Sequence, residues 1–413
     1  MLEGAEPSQI PPLLRALKWI DLRHGLNDPA VLEQIYAFCE GRPFRTPNDE
    51  IPDSVQPYRG LLHFDVEHAA LFFGRDNDVR RLVANLQRDA FVAVVGPSGI
   101  GKSSVVRAGL HSAAASESFG DRPPALTITV RPGKDPLRTL ADQLREAADH
   151  HGPPREPADA LAWTSREIEN MRADDAALSQ RLRSQFAGLG GRIILLVDQF
   201  EELFTHRAED GSKRPGATET LSDASHCIDN LLRAVHDAEE TLCVLITLRT
   251  DFLDRCLRHP GLRQLLQDHL FLLGELGRDD LRAAIRLPAE RNGAFFEKGL
   301  VEIILRDVEG ERGSLPLLEL SLKELWRHRQ GCWLTIEAYD RSGGVAGALE
   351  KLANATYAGL PSELHRKVAR NLLVRLTTLG EGVADTRRRV DRTELTLHGV
   401  PARIVDETLA ALS

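Results

Sequence analysis

The spacing of apolar residues divides the chain into a region of short strands and a region of helices. Short apolar runs separated by helical segments are typical of a buried parallel sheet. Such runs occupy Phe91–Val95, Ala125–Val130, Ile193–Val197, Leu242–Thr247 and Phe271–Leu273. From Asp279 onward, apolar residues recur at helical spacing almost to the last residue. The pattern therefore predicts an α/β domain followed by a helical region.

The residues before the first strand form two further segments. Residues 1–40 contain apolar positions at helical spacing, which predicts an N-terminal helical segment. Residues 41–56 are interrupted by prolines and read as a linker. Two polar insertions, around 150–157 and 207–220, are expected to form surface loops.

Composition narrows the class of protein. The chain has 413 residues, a net charge of −9, 42% hydrophobic and 27% charged residues, as in ordinary globular proteins. No apolar run approaches the ~20 residues needed to cross a bilayer, and the start lacks the features of a signal peptide. The five cysteines are scattered, which argues against disulfides and a zinc site. We expect a cytoplasmic protein that binds neither membranes nor, given its acidity, nucleic acid.

One motif carries specific chemistry. The first strand runs into a G-x-x-x-x-G-K-[ST] sequence and then into a helical segment, the context that a phosphate-binding loop requires. Its residues are Gly96, Pro97, Ser98, Gly99, Ile100, Gly101, Lys102, Ser103 and Ser104. We expect Lys102 to contact the β- and γ-phosphates of a nucleotide and Ser103 to ligate Mg²⁺. The alternative is a chance glycine-rich turn.

Acidic residues follow the Ile193–Val197 strand. Asp198 lies at its carboxyl end, where ligands of parallel sheets bind, and we expect it to hold Mg²⁺ together with Ser103. Glu201 and Glu202 are candidates for the carboxylate that orients the attacking water, with Glu201 preferred. Both could instead belong to a solvated first helical turn, where acidic residues suit the helix dipole.

An arginine follows the Leu242–Thr247 strand. Arg249 could detect the γ-phosphate and so distinguish ATP from ADP. Its alternative role is a structural ion pair, for instance with Asp251. We prefer the first interpretation.

Several motifs together resemble the novel STAND NTPases of bacteria, which are signal-transduction ATPases related to AAA+ proteins. They include Tyr58–Leu61, Phe72–Arg75, Gly96–Ser104, Asp198–Phe204, Leu248–Phe252 and Leu315–Glu319. The resemblance implies a P-loop core at 57–275 with sheet order 5-1-4-3-2, an all-helical lid at 276–345 and a winged-helix domain at 346–413. It also implies ATP or ADP and Mg²⁺ as ligands.

The resemblance carries over to individual residues. Phe73, Gly74 and Arg75 would lie near the adenine, and Pro316 corresponds to the family's Gly-x-Pro signature, although the spacing here is Gly-x-x-Pro. The winged-helix histidine that senses ADP in this family has no match in the chain. The resemblance implies a switch that self-associates on activation, with the activating ligand and effector domain outside this chain and anti-phage defence as a plausible setting.

Other interpretations remain open at this stage. Residues 10–22 resemble the end of a bacterial TIR domain, but a plain amphipathic helix explains them equally well. Arg387, Arg388 and Arg389 could contact DNA, which would fit a DNA-binding AAA+-like loader or transcriptional regulator. A nucleotide-locked scaffold without turnover is a third candidate.

Overall fold

The structure is a computed structural model of the whole chain. It describes residues 35, 51–52, 54–115, 126–152, 156–189, 191–205, 222–238, 241–309, 313–378, 386–387, 395 and 400–412. Several predictions fall outside these residues: the N-terminal helical segment apart from residue 35, its TIR interpretation, most of the linker, the loop at 207–220, and Arg388 and Arg389.

The central element is a five-stranded parallel sheet. Its strands are β1 (Phe91–Gly96), β2 (Leu126–Val130), β3 (Ile193–Val197), β4 (Leu242–Arg249) and β5 (Leu270–Leu272). Their order is β2-β3-β4-β1-β5, which confirms the predicted order 5-1-4-3-2. Every residue of β1 and β3 is buried, because helices cover both faces of the sheet.

Helices pack against both faces. They are α1 (Asp76–Arg88), α2 (Lys102–Ser104, a π-helical turn Val105–Gly109, then Leu110–Ala115), α3 (Pro136–His151), α4 (Pro157–Ala173), α5 (Ala177–Phe186), α6 (Glu202–Thr205), α7 (Asp223–His236), α8 (Leu253–Leu257) and α9 (Pro260–Asp268). Helices α1 and α2 share a core with Val92 and Val94 of β1, and α3, α4, α5 and α7 share another with Ala93 and Val95. Alternate strand residues therefore face opposite helical layers.

As far as residue 358, the described region after the sheet is mostly helical, but it includes one short pair of strands, so the lid expected to be all-helical is not entirely so. It contains α10 (Arg278–Arg291), β6 (Phe295–Phe296), α11 (Leu300–Val308), α12 (Leu315–Arg327), β7 (Trp333–Leu334), α13 (Ile336–Ser342) and α14 (Gly344–Ala358). β6 and β7 are parallel and make a two-stranded sheet. These elements have a core of their own. We call residues 276–345 the lid.

The end of the predicted linker packs on the lid. The Trp326 indole N–H donates to the Val55 carbonyl at 2.7 Å, and the Tyr58 ring lies edge-on to Trp326 at 6.2 Å. The Tyr58 hydroxyl donates to the Ile285 carbonyl at 2.5 Å. Both rings are almost completely buried, and the burial of their apolar surface stabilises the packing of this segment on the lid core.

The described C-terminal elements are α15 (Glu363–Arg375), β8 (Thr377–Thr378), β9 (Thr386–Arg387) and α16 (Ala402–Leu412). β8 and β9 pair antiparallel, and Val368, Leu372, Leu395 and Val405 form a small core. The winged helix stays a prediction. None of the helices in the described part of the chain has the length and apolar character that a bilayer crossing requires.

Helix α3 offers a direct test of the fold. Leu144 is 1% exposed against the sheet, and we expect Leu144→Ala to cost about 2–5 kcal/mol of the free energy of unfolding. Leu161 of α4 is 65% exposed, so Leu161→Ala should change it by no more than about 0.5 kcal/mol. Urea-induced unfolding followed by circular dichroism measures both. Equal effects would contradict the layer arrangement.

Candidate functional site

The register of the sheet brings the predicted site residues together. Gly96, the last residue of β1, pairs with Arg249, the last residue of β4. β3 pairs with β4 on the other side, and Asp198 directly follows β3. In parallel strands these carboxyl ends share one edge, so the phosphate-binding loop, the acidic residues and Arg249 all lie there.

The phosphate-binding loop has the backbone that its glycines predict. Gly99 and Gly101 have φ angles of +78° and +94°, a conformation that L-residues rarely adopt. The Lys102 ammonium donates to the carbonyls of Gly96 at 2.9 Å and Pro97 at 2.8 Å. Burial lowers the pKa of Lys102 from its ordinary value, although Glu201 opposes this shift. Lys102 thus folds back over its own loop.

Asp198 is only 1% exposed and has three side-chain hydrogen-bond partners. Its Oδ1 accepts hydrogen bonds from the hydroxyls of Ser103 at 2.9 Å and Thr247 at 2.7 Å. Its Oδ2 accepts from Arg107 Nε at 3.0 Å. Ser103 and Asp198, which the sequence predicted as metal ligands, are therefore in direct contact.

The residues present suit a magnesium ion. Carboxylate and hydroxyl oxygens are hard donors, and Mg²⁺ usually takes one or two protein ligands and completes its shell with water and phosphate. Ser103 and Asp198 supply such a pair. Within the described residues, no group of three or more His, Cys, Asp or Glu side chains forms a dedicated metal cage.

The two adjacent glutamates have different environments. Glu201 lines the cavity described below, is 7% exposed, and its Oε2 is buried without a hydrogen-bond partner in the described structure. Burial raises the pKa of Glu201, while its own backbone N–H and Lys102 oppose this shift. Glu202 instead accepts from Arg131 at 2.8 Å and from the backbone N–H of Gly133 at 2.9 Å.

Arg249 lines the same cavity and also forms the ion pair considered from the sequence. Its Nε and Nη2 donate to the two carboxylate oxygens of Asp251 at 3.0 and 2.7 Å. The guanidinium carbon lies 5.6 Å from the centre of the Phe252 ring. Arg249 therefore forms the ion pair that was its alternative role and lies beside the cavity, while its role in detecting the γ-phosphate stays a prediction.

Arg75 supports the loop. It is 4% exposed, and its guanidinium donates to the carbonyls of Ile100 at 2.8 Å and Gly274 at 2.9 Å. It also forms an ion pair with Asp78 at 2.7 Å. Arg75 therefore ties α1, the phosphate-binding loop and the segment after β5 to one another.

The neighbouring residues of the Phe72–Arg75 motif line or enclose the cavity. Phe72 and Phe73 face it, and the Phe72 ring lies 5.7 Å from that of Phe64. Gly74 has φ +83°, and a Cβ there would lie 2.3 Å from the Asp280 carbonyl oxygen. Only glycine permits this approach between the motif and α10 of the lid.

A cavity of about 280 Å³ lies between the loop, the lid and residues 58–65, which we call the strap. The strap is fastened to the loop helix by the Phe64 backbone N–H, which donates to Ser104 Oγ at 3.1 Å. On the lid side, a Cβ on Gly99 would lie 2.9 Å from Pro316 Cγ, so Pro316 sits directly on the loop. The cavity lies where a nucleotide on the loop would extend.

Glu319 connects the lid to the strap. It lines the cavity, and its Oε2 accepts from the backbone N–H of Arg59 at 3.1 Å. Burial raises the pKa of Glu319 to about 7, opposed by hydrogen bonds from the backbone N–H groups of Arg59 and Gly60.

Four residues of the site were missed from the sequence: Asp65, Arg107, Thr247 and Glu319. Thr247 carried a local signal, because it is a polar residue inside an apolar strand. Glu319 lies within a recognised motif and Arg107 lies three residues after one, yet nothing in the neighbouring sequence indicates their partners. Asp65 had no signal, since its contact with Arg107 joins residues 42 positions apart.

Comparison with protein families gives a match over most of the chain. Residues 57–413 match the family described as novel STAND NTPase 1. Comparison with curated proteins finds no match.

Solved structures similar to this chain include ORC1 of Aeropyrum pernix in complex with DNA, with 18% identity, coverage of 84% of this chain and 85% of that one, and a TM-score of 0.46. The Walker-type ATPase PABY2304 of Pyrococcus abyssi has 16% identity, coverage of 85% and 91%, and a TM-score of 0.44. Drosophila ORC bound to DNA has 14% identity, coverage of 92% and 99%, and a TM-score of 0.39.

The raised pKa of Glu319 predicts a pH dependence of stability. Its pKa in the folded protein, about 7, exceeds the ordinary value of 4.5. The contribution of Glu319 to the free energy of unfolding is therefore fully present below pH 4.5 and is lost as the pH rises through 7. Glu319→Gln removes this loss. We therefore expect the melting temperature of the variant minus that of wild type to increase from pH 5 to pH 8. Glu363→Gln, on an exposed carboxylate of α15, is the control. A pH-independent difference between Glu319→Gln and wild type would contradict the assignment.

Proposed function

The chain belongs to the novel STAND NTPase 1 family, and on this premise we propose that it is an ATP-binding switch that hydrolyses ATP slowly and changes the position of its lid with the nucleotide state. Its reaction is attack of water on the γ-phosphate, giving ADP and phosphate. The cofactor is Mg²⁺.

One observation carries the proposal: Pro316 of the lid rests on Gly99 of the phosphate-binding loop, with the cavity beside them. A nucleotide in this cavity contacts the core, the strap and the lid at once. Its affinity must then depend on whether these parts are together, and binding shifts the equilibrium between closed and open forms by the same free energy.

The phosphates would be bound by the loop. Its backbone N–H groups and the start of α2 provide a positive environment for anions, and the Lys102 ammonium would exchange the Gly96 and Pro97 carbonyls for phosphate oxygens. Mg²⁺ held by Ser103 and Asp198 would neutralise charge on the β- and γ-phosphates.

Glu201 is the preferred residue for orienting the attacking water. Glu201 lines the cavity, its Oε2 is buried without a hydrogen-bond partner in the described structure, and burial raises its pKa, which makes the carboxylate a better proton acceptor. Glu202 is occupied by Arg131 and Gly133 and is available only if those bonds break.

Arg249 is suited to detecting the γ-phosphate. Its pair with Asp251 uses Nε and Nη2, and the guanidinium has a third nitrogen, Nη1, for a phosphate oxygen. The ion pair holds the side chain at the wall of the cavity, so both roles considered from the sequence operate together.

The output of the switch is self-association. In the ADP state the lid and strap cover the nucleotide, and we expect a chain that retains ADP and turns over well below the ~10 s⁻¹ of a typical enzyme. ATP opens the lid and exposes the surface that binds another copy. Signalling in bacteria, with anti-phage defence as its setting, rests on the family resemblance alone.

Nucleotide binding is tested with Lys102→Ala. Loss of a charge-assisted contact costs about 1.5–3 kcal/mol, so we expect ATP affinity to fall about 10- to 150-fold. Isothermal titration calorimetry measures the affinity, with Lys298→Ala, an exposed lysine, as the control. Unchanged ATP affinity in Lys102→Ala would overturn the assignment of the loop.

Hydrolysis is tested by exchanging each glutamate for glutamine. We expect Glu201→Gln to bind ATP and Mg²⁺ normally and to lose about 10²–10⁴-fold in single-turnover rate, because it removes the general base. Glu202→Gln should have a much smaller effect, since it perturbs only contacts with Arg131 and Gly133. The reverse ranking would transfer the role to Glu202, and two mild effects would argue that neither residue is the base.

A further inference from the structure

Arg107 is the one side chain that links the strap to Asp198 in the described structure. Its Nη1 donates to Asp65 Oδ2 at 2.9 Å, and its Nε donates to Asp198 Oδ2 at 3.0 Å. The Arg107 side chain is 17% exposed, and that of Asp198 is 2% exposed. The guanidinium thus bonds one carboxylate in the strap and one at the end of β3.

The helix geometry places Arg107 between these carboxylates. Residues Val105–Gly109 form a π-helical turn inside α2, and such turns are frequent at functional sites. The same helix carries Ser103, which bonds Asp198, and Ser104, which accepts from Phe64 of the strap. One short segment of α2 therefore contacts both Asp198 and the strap.

We propose that Arg107 is a positioning residue that couples cation binding at Asp198 to closure of the strap over the nucleotide. The inference rests on the proposed function, because it assigns a role to Arg107 in a site that binds nucleotide and Mg²⁺.

The coupling follows from competition between two cations for one carboxylate. In the present structure Arg107 divides its donors between Asp198 and Asp65. A divalent cation held by Ser103 and Asp198 weakens the attraction between Asp198 and the guanidinium, since it neutralises the same negative charge. Arg107 then bonds more strongly to Asp65, which lies in the strap, and the strap is held closed.

Linkage makes this coupling reciprocal. If the cation favours the closed strap, the closed strap favours the cation by the same factor. Mg²⁺ therefore slows nucleotide release through the strap as well as through its own contacts with phosphate. Arg107 touches neither the base nor the phosphates in this scheme and acts only through Asp65 and Asp198.

The experiment compares release rates of a fluorescent ADP analogue from the full chain, in Mg²⁺ and in EDTA. In wild type we expect the EDTA rate to exceed the Mg²⁺ rate. Arg107→Gln and Asp65→Asn should each reduce this ratio about five- to tenfold, the lower part of the range for coupled sites. The double variant should reduce it no further, because both substitutions break the same link.

Arg172→Gln is the matched control, since it removes an arginine–aspartate pair of 2.7 Å, formed with Asp223, that does not line the cavity. Its ratio should equal that of wild type. If Arg107→Gln raises both rates by one factor and leaves the ratio unchanged, Arg107 has only a structural role and the inference is overturned.

A second measurement separates this inference from the proposed function. Hydrogen exchange of the strap peptide, which contains the Phe64 amide, is followed without nucleotide as millimolar Mg²⁺ is added. We expect slower exchange in wild type and no change in Arg107→Gln. If the chain binds nucleotide but Arg107→Gln leaves the ratio of the two release rates unaltered, the inference alone is overturned. If the chain binds no nucleotide but Mg²⁺ slows exchange of the strap in wild type and not in Arg107→Gln, the proposed function is overturned. The coupling between the cation and the strap is then still supported.

Discussion

A carboxylate that is almost completely removed from water must be paired, because an isolated buried charge costs several kcal/mol. Asp198 is in this position, and the side chains that pair with it come from two separate elements. Ser103 and Arg107 belong to α2, and Thr247 belongs to β4. Pairing Asp198 thus fixes the loop helix against the ends of two strands.

This constraint also shapes the cation site before any cation is bound. The Asp198 and Ser103 oxygens already face each other at 2.9 Å, so little reorganisation is needed to present them to Mg²⁺. The third partner, Arg107, balances the charge of the carboxylate and extends the network to Asp65. The strap thereby becomes part of the same electrostatic unit as the core.

The lid joins this unit through packing instead of charge. Pro316 contacts the loop where Gly99 lacks a side chain, and Gly74 lacks one where α10 approaches. Glu319 adds a polar contact with the strap. The walls of the cavity come from segments that are far apart in the chain, so a ligand between them affects how they assemble. This arrangement is what a nucleotide-controlled switch requires.

The sequence predicted much of the fold because its signals are local. Runs of apolar residues predicted the strands to within one or two residues of the observed bounds. The glycines between Gly96 and Ser103 predicted the backbone conformation of the phosphate-binding loop. The sheet order came from the family resemblance, and the structure agrees with it. Asp198 was recognisable because it ends a buried strand beside that loop.

By itself, then, the sequence determined the α/β core, the phosphate-binding loop and the strand end that carries the acidic residues, since short-range spacing encodes all three. Only the tertiary structure decided how Glu201 and Glu202 differ: one side chain faces the cavity and the other meets Arg131. It alone placed Arg107 between Asp65 and Asp198 and Glu319 against the strap. The physical reason is that these contacts join residues that are far apart in the chain. They depend on how distant segments pack together, which the residues adjacent in the sequence do not determine.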